Sequence, residues 1–277
     1  MNAPLTHAPA AAEADEHLSG RNIRLGLRGK QILDSVDFTA RPGEVTAIVG
    51  PNGSGKTTLL RCLTGEIAGQ CAPGSTIRMG ALDVTRAEPW LLAQRRAVLA
   101  QATSLAFPFT VLEVVRLGAE GAGGAARARQ ALAQVDLGHY AERYYQELSG
   151  GEQQRVQLAR VLAQLDAPRG HHGPRWLFLD EPVSALDIGH QLQVMEIARA
   201  FARNGGGVVA VMHDLNLTAM FAQEVVLLNQ GRVLGAGAPA EVLTDRLLET
   251  AYGCRLRIGV APRDGLFLLP QTAEQGN

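Results

Sequence analysis

The densest chemistry in the chain is one run of nine residues, Gly50-Pro51-Asn52-Gly53-Ser54-Gly55-Lys56-Thr57-Thr58. It follows the apolar run 45–49 and leads into Leu59-Leu60-Arg61-Cys62-Leu63, which sets a G-x-x-x-x-G-K-T pattern between a strand and a helix. The glycines let backbone N–H groups converge on phosphate oxygens, and the helix start adds its positive dipole end. Lys56 then reaches the β- and γ-phosphates of a nucleoside triphosphate, and the Thr57 hydroxyl binds Mg2+. A second element follows the apolar run 176–179, which delivers Asp180 and Glu181 at the carboxyl end of a strand. Open α/β sheets place their ligands there. Asp180 is expected to hold Mg2+ through water, and Glu181 to polarise the water that attacks the γ-phosphate. In isolation such a pair is a loop start or a helix cap, so its weight comes from the phosphate loop upstream.

Two further candidates have ordinary readings when taken alone. Ser149-Gly150-Gly151-Glu152 is either a plain helix cap with a capping-box glutamate or a helix start whose hydroxyl and backbone donors meet a γ-phosphate. His213, after the apolar run 208–212, is by itself a satisfied core or loop histidine.

These residues need strands to carry them and helices to cover the strands. Short apolar runs at 36–38, 45–49, 77–79, 98–100, 177–179, 208–212 and 225–228 read as strands. Runs apolar on both faces fit a parallel sheet buried by helices on each side. Val194, Ile197, Ala198 and Phe201 fall on one helical face, as do Leu158, Val161, Leu162 and Leu165. Between about 107 and 166 strand signals stop and helical ones dominate, which reads as a helical subdomain inserted into an α/β core spanning 21–106 and 167–253. Residues 1–20 lack apolar period and read as a loose tail, and 254–277 as a C-terminal extension of unassigned role.

Composition narrows the function. A chain of 277 residues with 46% hydrophobic and 19% charged residues can bury a core, and its low charge suits a surface that is partly covered. A net charge of −1 removes the basic footprint of a nucleic-acid binder. Cys62, Cys71 and Cys254 form no C-x-x-C pair and read as free thiols of a reducing compartment. No apolar run approaches the roughly 18 residues of a membrane span, and the amino-terminal segment has no signal-like apolar stretch, so a cytosolic location is expected.

With Leu148-Ser149-Gly150-Gly151-Glu152-Gln153-Gln154-Arg155 added to the phosphate loop, the chain resembles the ATP-binding cassette (ABC) ATPases, whose signature motif this is. The resemblance covers about residues 21–240. It implies a P-loop NTPase (RecA-like) α/β core with the inserted α-helical subdomain and an N-terminal β-subdomain. Gln101 matches the family's Q-loop glutamine, a Mg2+ and catalytic position. Ser184-Ala185-Leu186-Asp187 matches the D-loop, with Asp187 at the nucleotide, and His213 matches the switch histidine. Ser149, Gly150 and Gly151 would complete a partner's ATP site, 93 residues along the chain from Lys56, so that a head-to-tail homodimer sandwiches two ATP molecules. One position departs from the family: Leu27 stands where an aromatic residue usually stacks on adenine.

The resemblance also implies partners. In transporters of the family the stretch from Gln101 to Val111 receives a permease, and Phe107 and Phe109 are either contact residues or ordinary core, while Val111, Leu112 and Val115 read as core. The phrase from Ser104 to Val111 and the compact C-terminus look like the ATPases of importers for haem, ferric siderophores and vitamin B12, most closely those for haem. Such a subunit works with a permease dimer and, indirectly, a periplasmic substrate-binding protein, from the cytoplasmic face of the inner membrane. A ferric siderophore or cobalamin cargo is the alternative, and a soluble ABC ATPase acting on a macromolecule the more distant one. His171 and His172, flanked by Gly and Pro, read as a solvated loop without a role.

Overall fold

Val45–Val49 offers no polar face to water, and all five residues are buried as β3, the third strand of a six-stranded sheet. The computed structural model describes residues 16–101, 107–119, 121 and 123–273. The sheet's other strands are β6 (Arg96–Leu99), β9 (Trp176–Asp180), β10 (Gly207–Val211), β11 (Glu224–Asn229) and β12 (Arg232–Gly237), in the order β12-β11-β3-β10-β9-β6. All neighbours pair parallel except β12, which runs antiparallel along one edge. Val211 lies opposite Ile48 on one side and Asp180 on the other, so three strands end within one residue of a common row.

Alternation along the strands splits the interior in two. Val45, Ala47, Val49, Leu177 and Leu179 join the core on one face, and Ile48, Trp176, Phe178 and Val209 join the core on the other. The second face carries α1 (Lys56–Leu63) and an antiparallel sheet of β2 (Lys30–Ala40), β1 (Leu18–Leu27), β4 (Thr76–Met79) and β5 (Leu82–Asp83), in that order. The first face is covered by α3 (Val111–Arg116), α4 (Gly124–Gln134), α5 (Gly150–Leu165), α6 (Ile188–Arg203) and α7 (Leu215–Phe221). The remaining elements are α2 (Pro89–Arg95), the short hairpin of β7 (Arg169–Gly170) and β8 (Gly173–Pro174), α8 (Pro239–Val242) and α9 (Asp245–Tyr252).

β1 starts earlier than composition suggests. Leu18 is fully buried and pairs with both Ala40 and Met79, so the segment read as a tail to residue 20 enters the sheet at Leu18. Two strands are shorter than their apolar runs, since Ala100 and Met212 lie just past the ends of β6 and β10. Both are carboxyl ends, where the chain turns out of the sheet. Val111, Leu112 and Val115 are core residues of α3, which opens with a capping box between Thr110 and Glu113.

Gly207, the first residue of β10, lies against the ring of Trp176, the first residue of β9. A Cβ at Gly207 would stand 2.3 Å from the nearest ring carbon, deep between two fully buried strands. Gly207→Ala is therefore expected to destabilise the chain by about 1–3 kcal/mol through overpacking, read as a lower urea midpoint. Gly69→Ala, where the added methyl meets nothing within 4 Å, is the control expected to leave the midpoint in place.

Candidate functional site

The phosphate loop leaves β3 through a residue that only glycine can be. Gly50 has φ of 147°, and a Cβ there would sit 2.0 Å from the Leu228 carbonyl oxygen. Gly53 and Gly55 also take positive φ, so the chain curls around its own amides before α1 begins. Lys56 is only 6% exposed, and its Nζ donates to the carbonyls of Gly50 at 2.9 Å and Pro51 at 3.0 Å. Burial lowers its pKa, while the Glu181 and Asp180 carboxylates work in the opposite direction. The Ser54 hydroxyl is buried in the same loop with no hydrogen-bond partner among the described residues. Asn52 and Gly53 are exposed at the tip, and Pro51, Thr57 and Thr58 are half-buried. A curl of backbone donors, an enclosed ammonium and an unpaired buried hydroxyl suit a polyanion such as a triphosphate.

The ends of β9 and β10 bring the second group beside it. The Thr57 hydroxyl donates to Asp180 Oδ1 at 3.0 Å, across 123 residues of sequence. Asp180 is 5% exposed, and burial raises its pKa; the Thr57 hydrogen bond lowers it, the Glu181 charge raises it, and Lys56 and His213 lower it. Two hard oxygen donors with a desolvated carboxylate suit Mg2+, which takes one or two protein oxygens and leaves the rest to water and phosphate. No cluster of three or more His, Cys, Asp or Glu able to hold a metal occurs among the described residues.

Glu181, one residue beyond β9, stands in left-handed backbone at φ 52° and is held on all sides. Its N–H donates to the Val211 carbonyl at 3.2 Å, and its own carbonyl accepts from Gln154 Nε2 at 3.0 Å and Ser184 Oγ at 3.3 Å. Its carboxylate accepts from Gln101 Nε2 at 2.8 Å through Oε2 and shares a 2.6 Å hydrogen bond with His213 Nε2 through Oε1. Lys56, Thr57, Asp180, Glu181, Gln101 and His213 thus meet at one sheet edge.

Ser149, Gly150 and Gly151 do not join them within the chain. Ser149 caps α5 in a closed box with Glu152, donating to Oε2 at 2.8 Å and accepting from its N–H at 3.4 Å. These bonds hold the Glu152 carboxyl below the usual range. Ser149 and Gly150 are exposed, and a Cβ on Gly150 would meet nothing within 4 Å. Asp187 caps α6 and binds His190 through its N–H at 3.0 Å and its ring at 2.8 Å; the backbone bond and then the ring lower its pKa.

Two residues at this edge carried no role in the sequence reading. Gln154 ties the α5 start to the D-loop, donating to Glu181 O and accepting from Ala185 N–H at 3.4 Å. The available signal was its place one turn into α5, on the side turned toward the sheet. Tyr252, at the end of α9, hydrogen-bonds the Gly50 backbone; burial raises its phenol pKa against that bond. Nothing in its local sequence marks it.

Ala102 to Ala106, inside the expected permease stretch, lie outside the described residues. Beyond them the two phenylalanines divide. Phe107 is 68% exposed, while Phe109 packs its edge on Phe107 at 6.3 Å and leans on the core. Leu27 is 39% exposed beside the β1–β2 turn. His171 and His172 are exposed in the β7–β8 turn, and residues 254–273 are almost wholly exposed. No helix of the described residues is long and apolar enough to cross a membrane.

Comparison with known proteins agrees with this geometry. The ABC transporter family model matches residues 33–184. The hemin import ATP-binding protein HmuV of Jannaschia sp. (strain CCS1) is 60% identical over 262 residues, covering 93% of this chain and 96% of that protein. The protein of the same name from Roseobacter denitrificans is 55% identical over 93% of this chain and 99% of its own length. Among solved structures, a bacterial ABC transporter cassette determined as a dimer superposes with a TM-score of 0.69 at 25% identity, over 80% of this chain and 98% of that one. An ATP-binding cassette of an ABC transporter in its ADP conformation superposes with a TM-score of 0.72 at 23% identity, over 85% of this chain and 97% of that one. In motif order, fold and extent of similarity, the chain belongs to the ABC transporter family as one of its ATP-binding cassettes.

Proposed function

We propose that this chain is the energy-coupling ATPase subunit of an importer whose cargo is haem. The observation that carries the hydrolytic reading is the Glu181 carboxylate, held between Gln101 and His213 beside Lys56 and the Thr57–Asp180 pair. Glu181 serves as the base that orients and polarises water toward the γ-phosphate, since its carboxylate is fixed at both oxygens and its backbone is pinned. Lys56 and the loop amides of residues 50–58 hold the β- and γ-phosphates, and His213 and Gln101 report the γ-phosphate to the sheet edge. Thr57, Asp180 and the amide oxygen of Gln101 would hold Mg2+, which neutralises phosphate charge when bound. The haem reading is supported by the hemin import names of the relatives and their near-complete coverage of the chain.

Partners follow from the same reading. Ser149, Gly150 and Asp187 are exposed, with Gly151 half-buried behind them against Ala185, and these four residues serve the ATP site of a second copy in a head-to-tail homodimer. Loss of the γ-phosphate opens that dimer. Phe107, exposed between core and helical layer, takes part in the permease contact along Gln101 to Val111. The permease holds the subunit at the cytoplasmic face of the inner membrane, and a periplasmic binding protein delivers cargo to the assembly.

The decisive experiment is ATP-driven uptake into liposomes by the chain assembled with its permease and binding protein, offering haem, cobalamin and a ferric siderophore in parallel. Haem uptake alone is expected. Uptake of another cargo would overturn the cargo and keep the ATPase. In the same assay Glu181→Gln is expected to bind ATP while turnover and uptake fall by about 100-fold or more, and ordinary turnover would remove Glu181 from the base role.

The composite site has its own test. Lys56→Ala and Ser149→Arg homodimers are each expected to be inactive, and mixing the two is expected to restore turnover, because one of the two sites in a mixed dimer is intact. No recovery would mean that Ser149 serves its own phosphate loop.

Asp180 sets a charge cost on the fold. Its pKa is raised by burial, so its favourable contribution to stability is present in full below its unfolded value and is lost as pH rises through the folded value. Asp180→Asn retains an oxygen to accept from Thr57 and removes that charge. It is expected to raise the melting temperature of the nucleotide-free chain at neutral pH, with the gain vanishing below about pH 4, while ATP turnover falls by about 100-fold or more.

A further inference from the structure

The helix that presents Lys56 and Thr57 ends in a thiol pair. Cys62, in the last turn of α1, is fully buried in the apolar cluster that holds Leu59 and Leu63. The chain then reverses through Gly65 and a single tight turn at Ala68–Gln70, and returns Cys71 so that the two sulfurs lie 3.5 Å apart. The reversal is tied at several points. Gly65 N–H donates to the Cys62 carbonyl at 3.0 Å, Ile67 N–H to the Arg61 carbonyl at 3.2 Å, and Cys71 N–H to the Ala68 carbonyl at 3.1 Å. An Arg61–Glu66 ion pair at 2.7 Å spans the same loop.

The two thiols are not equivalent. Cys71 is half-buried and reachable, whereas Cys62 is enclosed. Their shared hydrogen bond lowers the Cys71 pKa against the effect of burial, and the same bond together with burial pushes Cys62 up. Of the two, Cys71 gives up its proton more readily. Cys254, the third thiol, is exposed in the C-terminal stretch.

We propose that Cys62 and Cys71 are a modification site, a dithiol that hydroperoxides oxidise to a disulfide restraining the helix that carries Lys56 and Thr57. The Cys71 thiolate attacks one peroxide oxygen, the O–O bond breaks, and hydroxide leaves to take up a proton as water. The product is a sulfenic acid on Cys71. The Cys62 sulfur then attacks the Cys71 sulfur, the S–O bond breaks, and the hydroxide leaves as a second water with the Cys62 proton. Two thiols lose two electrons, and one peroxide gains them. The new bond draws the end of α1 and the returning loop together, and an eight-residue helix carries that shift back to the phosphate loop as a unit. The effect on turnover rests on the role of Lys56 and Thr57 proposed above; formation of the bond does not.

The test uses the full chain, reduced, then exposed to hydrogen peroxide, labelled with a maleimide and cut with trypsin. Cleavage after Arg61 and Arg78 leaves both cysteines in one peptide, residues 62–78. That peptide is expected to lose two hydrogen atoms and take no label, while Cys254 labels as before. Two labels on the peptide, added oxygen retained on Cys71, or a disulfide joining only Cys254 of two chains would overturn the proposal. ATP turnover is expected to fall at least about threefold on oxidation and to return with dithiothreitol. Cys71→Ser and, separately, Cys62→Ala are expected to make turnover indifferent to peroxide. Unchanged turnover with the bond formed would overturn the coupling. A reduced chain that turns over no ATP would instead overturn the function proposed above, and the peptide mass would still decide the dithiol.

Discussion

The site depends on a register. Ile48, Val211 and Asp180 lie in one row across three parallel strands, and the chemistry begins in the residues that follow them. Gly50, Glu181 and His213 leave the sheet within two residues of that row. Side chains alternate faces along a strand, so a slip of one residue in β9 would turn Asp180 away from Thr57 and place Leu179 there. Trp176 and Phe178 prevent that slip, because both fill the core on the α1 side, where Asp180 also points. Hydrophobic packing at one end of β9 thus fixes a carboxylate at the other.

The second constraint is electrostatic. Asp180 and Glu181 are adjacent carboxylates near one enclosed ammonium, and burial opposes the charge on both Asp180 and Lys56. Glu181 adds a left-handed backbone that a non-glycine residue adopts only under restraint, and hydrogen bonds to its backbone and carboxylate supply that restraint from β10, α5, Ser184, Gln101 and His213. Desolvated charge and backbone strain at one sheet edge are costs that a polyanion and its cation would offset on binding. The large apolar clusters on both faces of the sheet make those costs tolerable.

What was legible in the sequence was what local pattern determines. Residues 45–49 announce a doubly buried strand, and glycines at fixed offsets announce the phosphate loop, because both follow from backbone geometry and hydrophobic period alone. The start of β1 at Leu18 was not legible, since its burial is created by pairing with Ala40 and Met79 far along the chain. Gln154 and Tyr252 escaped for the same reason: each is identified by what it touches across the fold. Phe107 and Phe109 flank a proline that breaks any period, so only packing separates the exposed ring from the one leaning on the core.

The start of α5 bears on the homodimer proposed above. The capping box with Glu152 satisfies the Ser149 N–H and holds its hydroxyl, which fixes the helix end without using the amides of Gly150 and Gly151. Those donors and the positive end of a sixteen-residue helix open to solvent at Gly150. Gln154, on the same helix, meanwhile grips the backbone of Glu181. A single helix therefore carries an exposed amino-terminal end and, on its inner side, a hold on the backbone of Glu181. In the head-to-tail homodimer proposed above, a phosphate that a second copy brings to Gly150 would act on the helix that holds the Glu181 backbone, and α5 would join the two sites mechanically as well as the nucleotides between them.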